Sequence, residues 1–190
     1  LFACEAEGVE PDLMMVAKGL TAGYAPMGAV LMSDAVYAGI ADGAPGMPVG
    51  HGYTYSAHPV SAAIGLEVLR LYLEGGLLAN GIEQAPRFEQ GLRDLLAHPL
   101  VGDARSRGLL GALELVAAKT SKERFDPALK LSDRIAEAAY RNRVTFRAFG
   151  DNILGFAPAL CFSASDFDLL FDRLKKTLNE VLDQPDVRRA

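Results

Sequence analysis

PDLMMVAKGLTAGYAPMGAV, the sequence of residues 11–30, contains the sharpest change of pattern in this 190-residue chain. Leu13 to Ala17 form a continuous apolar run, which is typical of a strand buried on both faces. The run stops at Lys18, and residues 21–28 then contain a threonine, two glycines and a proline, which predict a turn. A lysine at the end of a buried strand costs free energy unless it has a chemical role or a path to water.

Two interpretations of Lys18 follow from this position. Burial disfavours the ammonium form of a lysine and so favours a free amine that can attack a carbonyl. Carbonyl substrates and pyridoxal 5'-phosphate (PLP) are bound by lysine in this way. Alternatively, the side chain extends from the strand end into solvent, as most lysines do. The residue types alone leave both interpretations open.

The residues around Lys18 resemble the lysine signature of PLP-dependent class III aminotransferases, most closely their ω-aminotransferase branch. The similarity is carried by residues 8–13, 17–20 and 24–30. In that family the matching lysine forms a Schiff base with the cofactor and then moves a proton between substrate and cofactor carbons. The resemblance implies that Lys18 is both catalytic and cofactor-binding. It also implies an α/β fold of the PLP-dependent transferase type I (aspartate-aminotransferase-like).

A second motif, HGYTYSAHPV at residues 51–60, follows a loop rich in glycine and proline at residues 42–52. Pro59 suits the first position of a helix. Thr54 and nearby backbone N–H groups could hold a phosphate at that helix start. The alternative is that Thr54 and Ser56 only cap the helix. For His58 we expect a structural role as a cap rather than acid–base chemistry.

This second motif is similar to the Gly-aromatic-Thr-Tyr-Ser-Gly-His-Pro motif of the same family, with Ala57 at the position of the second glycine. The resemblance implies that Tyr53 and Thr54 bind the cofactor. In the family, the threonine that matches Thr54 reaches the PLP phosphate of the partner subunit. We therefore expect a homodimer whose active sites are shared between two chains.

The remaining pattern predicts helices, strands and a division into two domains. Residues 59–73 are apolar nearly all round, which predicts a helix buried on most sides. Pro86 should kink or split a helix over residues 77–96, and Ser165-x-x-Asp168 resembles a capping box. The other predicted elements are one or two strands within residues 101–117, a helix over 128–143, a hairpin over 144–156, a helix after 165 and a frayed tail from 183. We expect residues 1–98 to be the C-terminal part of a large PLP-binding domain with linking helices, and 99–190 a small α+β domain.

Composition excludes several functional classes. A net charge of −5 and a pI near 5.2 argue against nucleic-acid binding. No stretch approaches the roughly 18 apolar residues of a membrane span. Cys4 and Cys161 lie too far apart in sequence to suggest a disulfide framework, which favours free thiols and a cytoplasmic location.

The resemblance predicts a transaminase that moves an amino group from an amine or ω-amino acid to a keto acid. The chain begins at Leu1 and matches only the C-terminal part of the family, so we expect a fragment that is inactive alone. The phosphate loop, stacking aromatic residue and pyridine-pairing aspartate would lie upstream. Ala164 stands where many ω-aminotransferases place a carboxylate-binding arginine, so that contact must come from elsewhere. Alternatives are another PLP reaction on the same scaffold, an aminomutase or decarboxylase, and an inert module.

Overall fold

The structure, a computed structural model, describes residues 1–43, 52–150 and 152–188. The chain divides into two compact units, Leu1–Leu78 and Ala79–Ala190. The boundary between the units, after Leu78, falls within the helix Leu77–Asp94 and comes earlier in the chain than the domain boundary expected after residue 98. The assignment of residues 1–98 and 99–190 to a large and a small domain stays a prediction.

In its described residues, the first unit contains a β-hairpin and three α-helices. A short helix, α1 (Ala3–Glu7), precedes the antiparallel pair β1 (Leu13–Val16) and β2 (Ala29–Met32), in which Val16 lies opposite Ala29. The helices α2 (Asp34–Ala41) and α3 (Pro59–Leu73) follow. The Ser33 side chain caps α2 by accepting a hydrogen bond from the Val36 N–H at 3.4 Å. β1 and α3 lie where the sequence predicts them, whereas α1 falls in a segment for which no helix was predicted.

Burial in the first unit is lower than the sequence suggests. Met15 of β1 is 85% exposed and Leu66 of α3 is 69% exposed. The predictions of a strand buried on both faces and of a helix buried on most sides are therefore wrong for this chain. A strand or helix becomes buried only when a further layer packs on it, and among the described residues the hairpin forms a sheet of only two strands.

The second unit is a four-stranded antiparallel sheet with helices that supply its core. Helix α4 (Leu77–Asp94) leads into it and continues through Pro86. Of the predicted kink or split at that residue, the split is therefore wrong. Phe88 and Leu92 of α4 are fully buried, and this packing offsets the hydrogen bond that proline removes. The sheet order is β3-β4-β6-β5, formed by β3 (Val101–Arg107), β4 (Leu110–Leu115), β5 (Arg147–Phe149) and β6 (Ile153–Phe156).

Three more helices complete the second unit: α5 (Leu131–Arg141), α6 (Ala164–Leu182) and α7 (Pro185–Arg188). Helix α5 lies within the predicted range 128–143, and its residues Leu131, Ile135, Ala138 and Ala139 are buried. Leu131, Ile135 and Ala138 join Leu113, Leu154, Phe167, Leu174 and Leu178 in one hydrophobic core. The chain from residue 183 was predicted to be a frayed tail, but it forms α7, where Val187 is only 3% exposed.

The capping box of α6 lies two residues before the predicted one. Ser163 Oγ accepts from the Asp166 N–H at 3.3 Å, and Asp166 Oδ2 accepts from the Ser163 N–H at 2.8 Å. Asp168, the predicted partner, instead pairs with the guanidinium of Arg87 at 2.7 Å. Across the described ranges, no helix is both long and apolar enough to cross a bilayer.

Candidate active site

Lys18 begins a one-turn 3-10 helix, Lys18–Thr21, which we call the lysine turn. The backbone of Ala17 is extended, and Lys18 then switches to the left-handed region with φ +48°. Such a conformation costs a non-glycine residue about 1–2 kcal/mol, and strained positions of this kind cluster at functional sites. The far end of the turn is anchored, because the buried Thr21 hydroxyl donates to the Ala25 carbonyl at 2.6 Å.

The Lys18 side chain is exposed in this chain. The expectation that it sits at the dry end of a buried strand is therefore wrong for the described residues, since the hairpin that carries it has no covering layer. Its exposure leaves the amine accessible to a ligand. The catalytic and cofactor-binding role of Lys18 stays a prediction.

Helix α3 packs against the lysine turn at two points seven residues apart. A Cβ added to Gly65 would lie 3.6 Å from the Leu20 carbonyl oxygen and 3.4 Å from Met27 Sδ, so the helix backbone approaches closely. Nearer its C-terminal end, the Tyr72 hydroxyl donates to the Gly19 carbonyl at 2.8 Å. Residues seven apart lie on the same face of a helix. One face of α3 therefore holds the turn that carries Lys18.

Thr54 lies in a second turn, at residues 53–57, which we call the threonine turn. The Ser56 N–H donates to the Tyr53 carbonyl at 2.9 Å, and the Tyr53 N–H donates to Ser56 Oγ at 2.9 Å. Ala57 has φ +55°. This left-handed conformation suits glycine best, which explains why the family motif often has glycine at that position.

His58 caps α3. Its Nδ1 accepts a hydrogen bond from the Ser61 N–H at 3.4 Å, and Pro59 occupies the first turn. The expected structural role of His58 is confirmed. The alternative in which Thr54 and Ser56 cap the helix is wrong, because Ser56 closes the threonine turn instead.

The threonine turn and the segment after the lysine turn line one cavity of about 750 Å³. Its walls are residues 24–28 and residues within 53–64, and Asp, Glu, Lys and Arg are absent from the described lining. Neither Lys18 nor Thr54 is part of this lining, although the other residues of the threonine turn are. However, a Cβ on Gly28 would lie 3.5 Å from the Val16 carbonyl oxygen and 3.8 Å from Ala17 Cβ. The cavity wall therefore contacts the strand end that carries Lys18. Of the loop predicted at residues 42–52, residues 44–51, which include His51, lie outside the described residues.

The residues present fit a phosphorylated aldehyde cofactor. Lys18 supplies an exposed amine, and Thr54 an exposed hydroxyl that makes no hydrogen bond to another residue in the described part of the chain. A hydroxyl is a suitable donor to a phosphate oxygen. Tyr53 is 75% exposed beside it, but its backbone N–H is already used within the threonine turn.

The sequence profile of aminotransferase class III matches residues 1–178. The chain belongs to the class III aminotransferase family. A curated relative, the putrescine–pyruvate aminotransferase of Pseudomonas aeruginosa, is 39% identical over 181 residues, which cover 94% of this chain and 38% of the relative. This chain thus spans about two fifths of the length of that relative.

Solved structures of class III aminotransferase relatives confirm the fold. A thermostable (S)-enantioselective ω-transaminase from Thermomicrobium roseum matches with a TM-score of 0.90 and 36% identity over 96% of this chain and 40% of that one. A PMP-bound aminotransferase from Vibrio fluvialis matches with a TM-score of 0.86 and 32% identity over 96% of this chain and 40% of that one. The predicted α/β transaminase fold, present in part, is therefore correct.

The sequence analysis did not identify two residues that contact the lysine turn, Gly65 and Tyr72. Gly65 interrupts an apolar helix, and a glycine in that position is a recognised signal of close backbone approach. Tyr72 gives no such signal, because its contact with Gly19 spans 53 positions and depends on how α3 packs.

Proposed function

We propose that this chain supplies the catalytic lysine and a phosphate-binding threonine to a PLP-dependent transaminase that moves an amino group from an amine or ω-amino acid to a keto acid. The observation that carries the proposal is the left-handed Lys18 on a turn held by α3, next to the cavity wall at Gly28. The amine is exposed and its backbone is fixed, which suits a group that must reach a ligand at a defined angle.

Each residue would have a distinct task. PLP, when bound, supplies the electron sink that stabilises a carbanion. The Lys18 Nζ would bind the cofactor and, once released, carry a proton between substrate and cofactor carbons. The Thr54 hydroxyl would donate to the cofactor phosphate, and Tyr53 would contact the cofactor beside it. We also propose a cytoplasmic location, which the two free thiols Cys4 and Cys161 support.

The role of Lys18 is tested in the full-length protein loaded with PLP. After borohydride reduction and proteolysis, mass spectrometry should locate the phosphopyridoxyl group on the peptide that contains Lys18. Lys18→Ala should abolish both this label and the absorbance of lysine-bound cofactor. Lys18→Arg keeps the positive charge and serves as a control, and it should be equally unlabelled. Labelling of a different lysine in the wild-type protein would refute the assignment.

A shared active site is tested by mixing two variants that both lack an intact site, at a cofactor concentration too low to fill the Thr54→Ala sites. If Lys18 acts with Thr54 of the partner subunit, a dimer of Lys18→Ala with Thr54→Ala contains one intact site. Refolding an equal mixture should give about a quarter of the wild-type sites, because half of the dimers are mixed. Thr54→Ala alone should weaken cofactor affinity roughly tenfold or more, since hydrogen bonds to charged groups are the stronger ones. Absence of recovery in the mixture would exclude a shared site.

Other functions of the same scaffold give different products. Turnover of putrescine with pyruvate, the pair named for the Pseudomonas relative, should release alanine if the protein is a transaminase. A decarboxylase would release carbon dioxide from an amino acid such as diaminobutyrate, the substrate named for the Halomonas elongata relative. An aminomutase would isomerise the amine without a keto acid. An inert module would give no product with any of these substrates.

A further inference from the structure

The lysine turn holds a conformation that its own sequence does not favour. Lys18 at φ +48° and Ala22 at φ +49° are both left-handed and neither is glycine. Within the turn, the Leu20 N–H donates to the Ala17 carbonyl at 3.1 Å and the Ala22 N–H donates to the Gly19 carbonyl at 3.2 Å. Strained residues persist only where the surroundings determine them. Contacts from outside the turn must therefore stabilise it.

Tyr72 of α3 provides a hydrogen bond to the turn from a distant part of the chain. Its hydroxyl reaches the Gly19 carbonyl at 2.8 Å, a shorter distance than the bond that the same carbonyl accepts from Ala22. The Gly19 carbonyl belongs to the peptide one residue beyond Lys18, so fixing it restricts rotation on the C-terminal side of the lysine. Gly65, on the same face of α3, places the helix backbone against Leu20 and prevents the turn from moving toward the helix.

We propose that Tyr72 is a positioning residue for Lys18: its hydroxyl fixes the lysine turn so that the amine points to one place. This inference rests on the proposed function of Lys18 and names a residue that acts on it. Tyr72 does not touch the reacting atoms. Its effect is preorganisation, which acts on the orientation of the amine and not on substrate affinity.

The test is Tyr72→Phe in the full-length protein loaded with PLP, because this change removes only the hydroxyl. We expect kcat to fall roughly fivefold, the effect of one lost hydrogen bond, while KM for the amine stays within twofold. Hydrogen exchange at the Leu20 and Ala22 amides should become faster, with the melting temperature of the whole protein unchanged. Tyr37→Phe is the matched control. Tyr37 lies on α2 in the same unit, is 63% exposed, and should change neither measurement.

Three outcomes would overturn the inference. If kcat is unchanged while exchange at Leu20 and Ala22 is faster, Tyr72 stabilises the turn without positioning the amine. If kcat falls only in proportion to the folded fraction, its role is general stability. If borohydride leaves no label on Lys18 in the wild-type protein, both the proposed function and this inference are wrong. The wild-type label thus separates the two failures.

Discussion

Replacing Gly102 of β3 with alanine tests how tightly the second unit is packed. Gly102 lies at a β-bulge, where the register shifts between Val101 and Asp103. An added Cβ would lie 2.6 Å from both γ-carbons of Val116 and 3.2 Å from its Cβ. Carbon atoms in good contact are about 3.5–4.0 Å apart. The two segments would therefore have to separate by roughly 1 Å.

Val116 cannot relieve this overlap by rotating. Both of its γ-carbons are equally close, so a rotation about χ1 moves only one of them away, and β-branched side chains have few rotamers available. Val116 is also 2% exposed, which leaves no open space beside it. Overpacking of this kind costs about 1–3 kcal/mol. Restricting the unfolded chain by a glycine-to-alanine change returns at most about 1 kcal/mol, so we expect a net loss of about 1–2 kcal/mol.

A double-mutant cycle identifies the cause. Val116→Ala alone should lower the free energy of unfolding by about 2 kcal/mol, since two buried methyl groups are lost. In the Gly102→Ala, Val116→Ala double variant, the new methyl group occupies space that the valine left. We expect the loss in free energy of unfolding of the double variant to be about 1–2 kcal/mol smaller than the sum of the losses of the two single variants. Urea unfolding followed by circular dichroism measures all four proteins.

Gly150→Ala is the matched control, because nothing lies within 4 Å of an added Cβ there. It should leave the free energy of unfolding unchanged or raise it by less than about 1 kcal/mol. The reasoning fails if Gly102→Ala is as harmless as Gly150→Ala. It also fails if the losses at residues 102 and 116 add within about 0.5 kcal/mol.

Two further predictions concern pH and helix capping. Burial lowers the pKa of His98 below its usual 6.5, against the opposing effect of its Asn179 hydrogen bond, and Lys119 and Lys175 lower it further. As pH falls below about 6.5 the unfolded chain takes up the proton first, so the free energy of unfolding should decrease. His98→Gln should flatten that decrease in urea titrations from pH 8 to 5, and an unchanged slope would exclude His98 as its source. Ser163→Ala should cost about 1 kcal/mol of stability by removing the cap of α6, whereas Ser165→Ala should change thermal unfolding by less than about 0.5 kcal/mol. Equal losses in the two serine variants would contradict the capping assignment.

Hydrophobic spacing and turn chemistry located the longer helices and the strands, but not the short helices α1 and α7 or every boundary. Ser163-x-x-Asp166 and Ser165-x-x-Asp168 satisfy the capping pattern equally well. The choice depends on Arg87, which lies 81 positions away from Asp168 and binds it. Helix α4 continues through Pro86 for a similar reason, because Phe88 and Leu92 pack into a core built by distant strands.

Burial was the property that the sequence predicted least well. The apolar run at residues 13–17 and the helix at 59–73 have the composition of buried elements, yet composition does not specify which layer covers them. For the candidate site, the motifs around Lys18 and Thr54 identified the turns that carry each residue. The hydrogen bond between Tyr72 and Gly19 joins residues 53 positions apart, so no local sequence pattern predicts it.

The hydrophobic core described above is unevenly distributed along the chain. Up to Leu78, Val68 is the only apolar side chain in the described residues that is buried, whereas most buried apolar side chains from Phe88 to Val187 form a single cluster. Cooperative melting requires shared buried contacts. In calorimetry of this chain, residues 1–78 should therefore give a broad, weak signal at low temperature. A sharp endotherm should follow from the second unit, and proteases should trim the chain toward that unit from its N-terminal side.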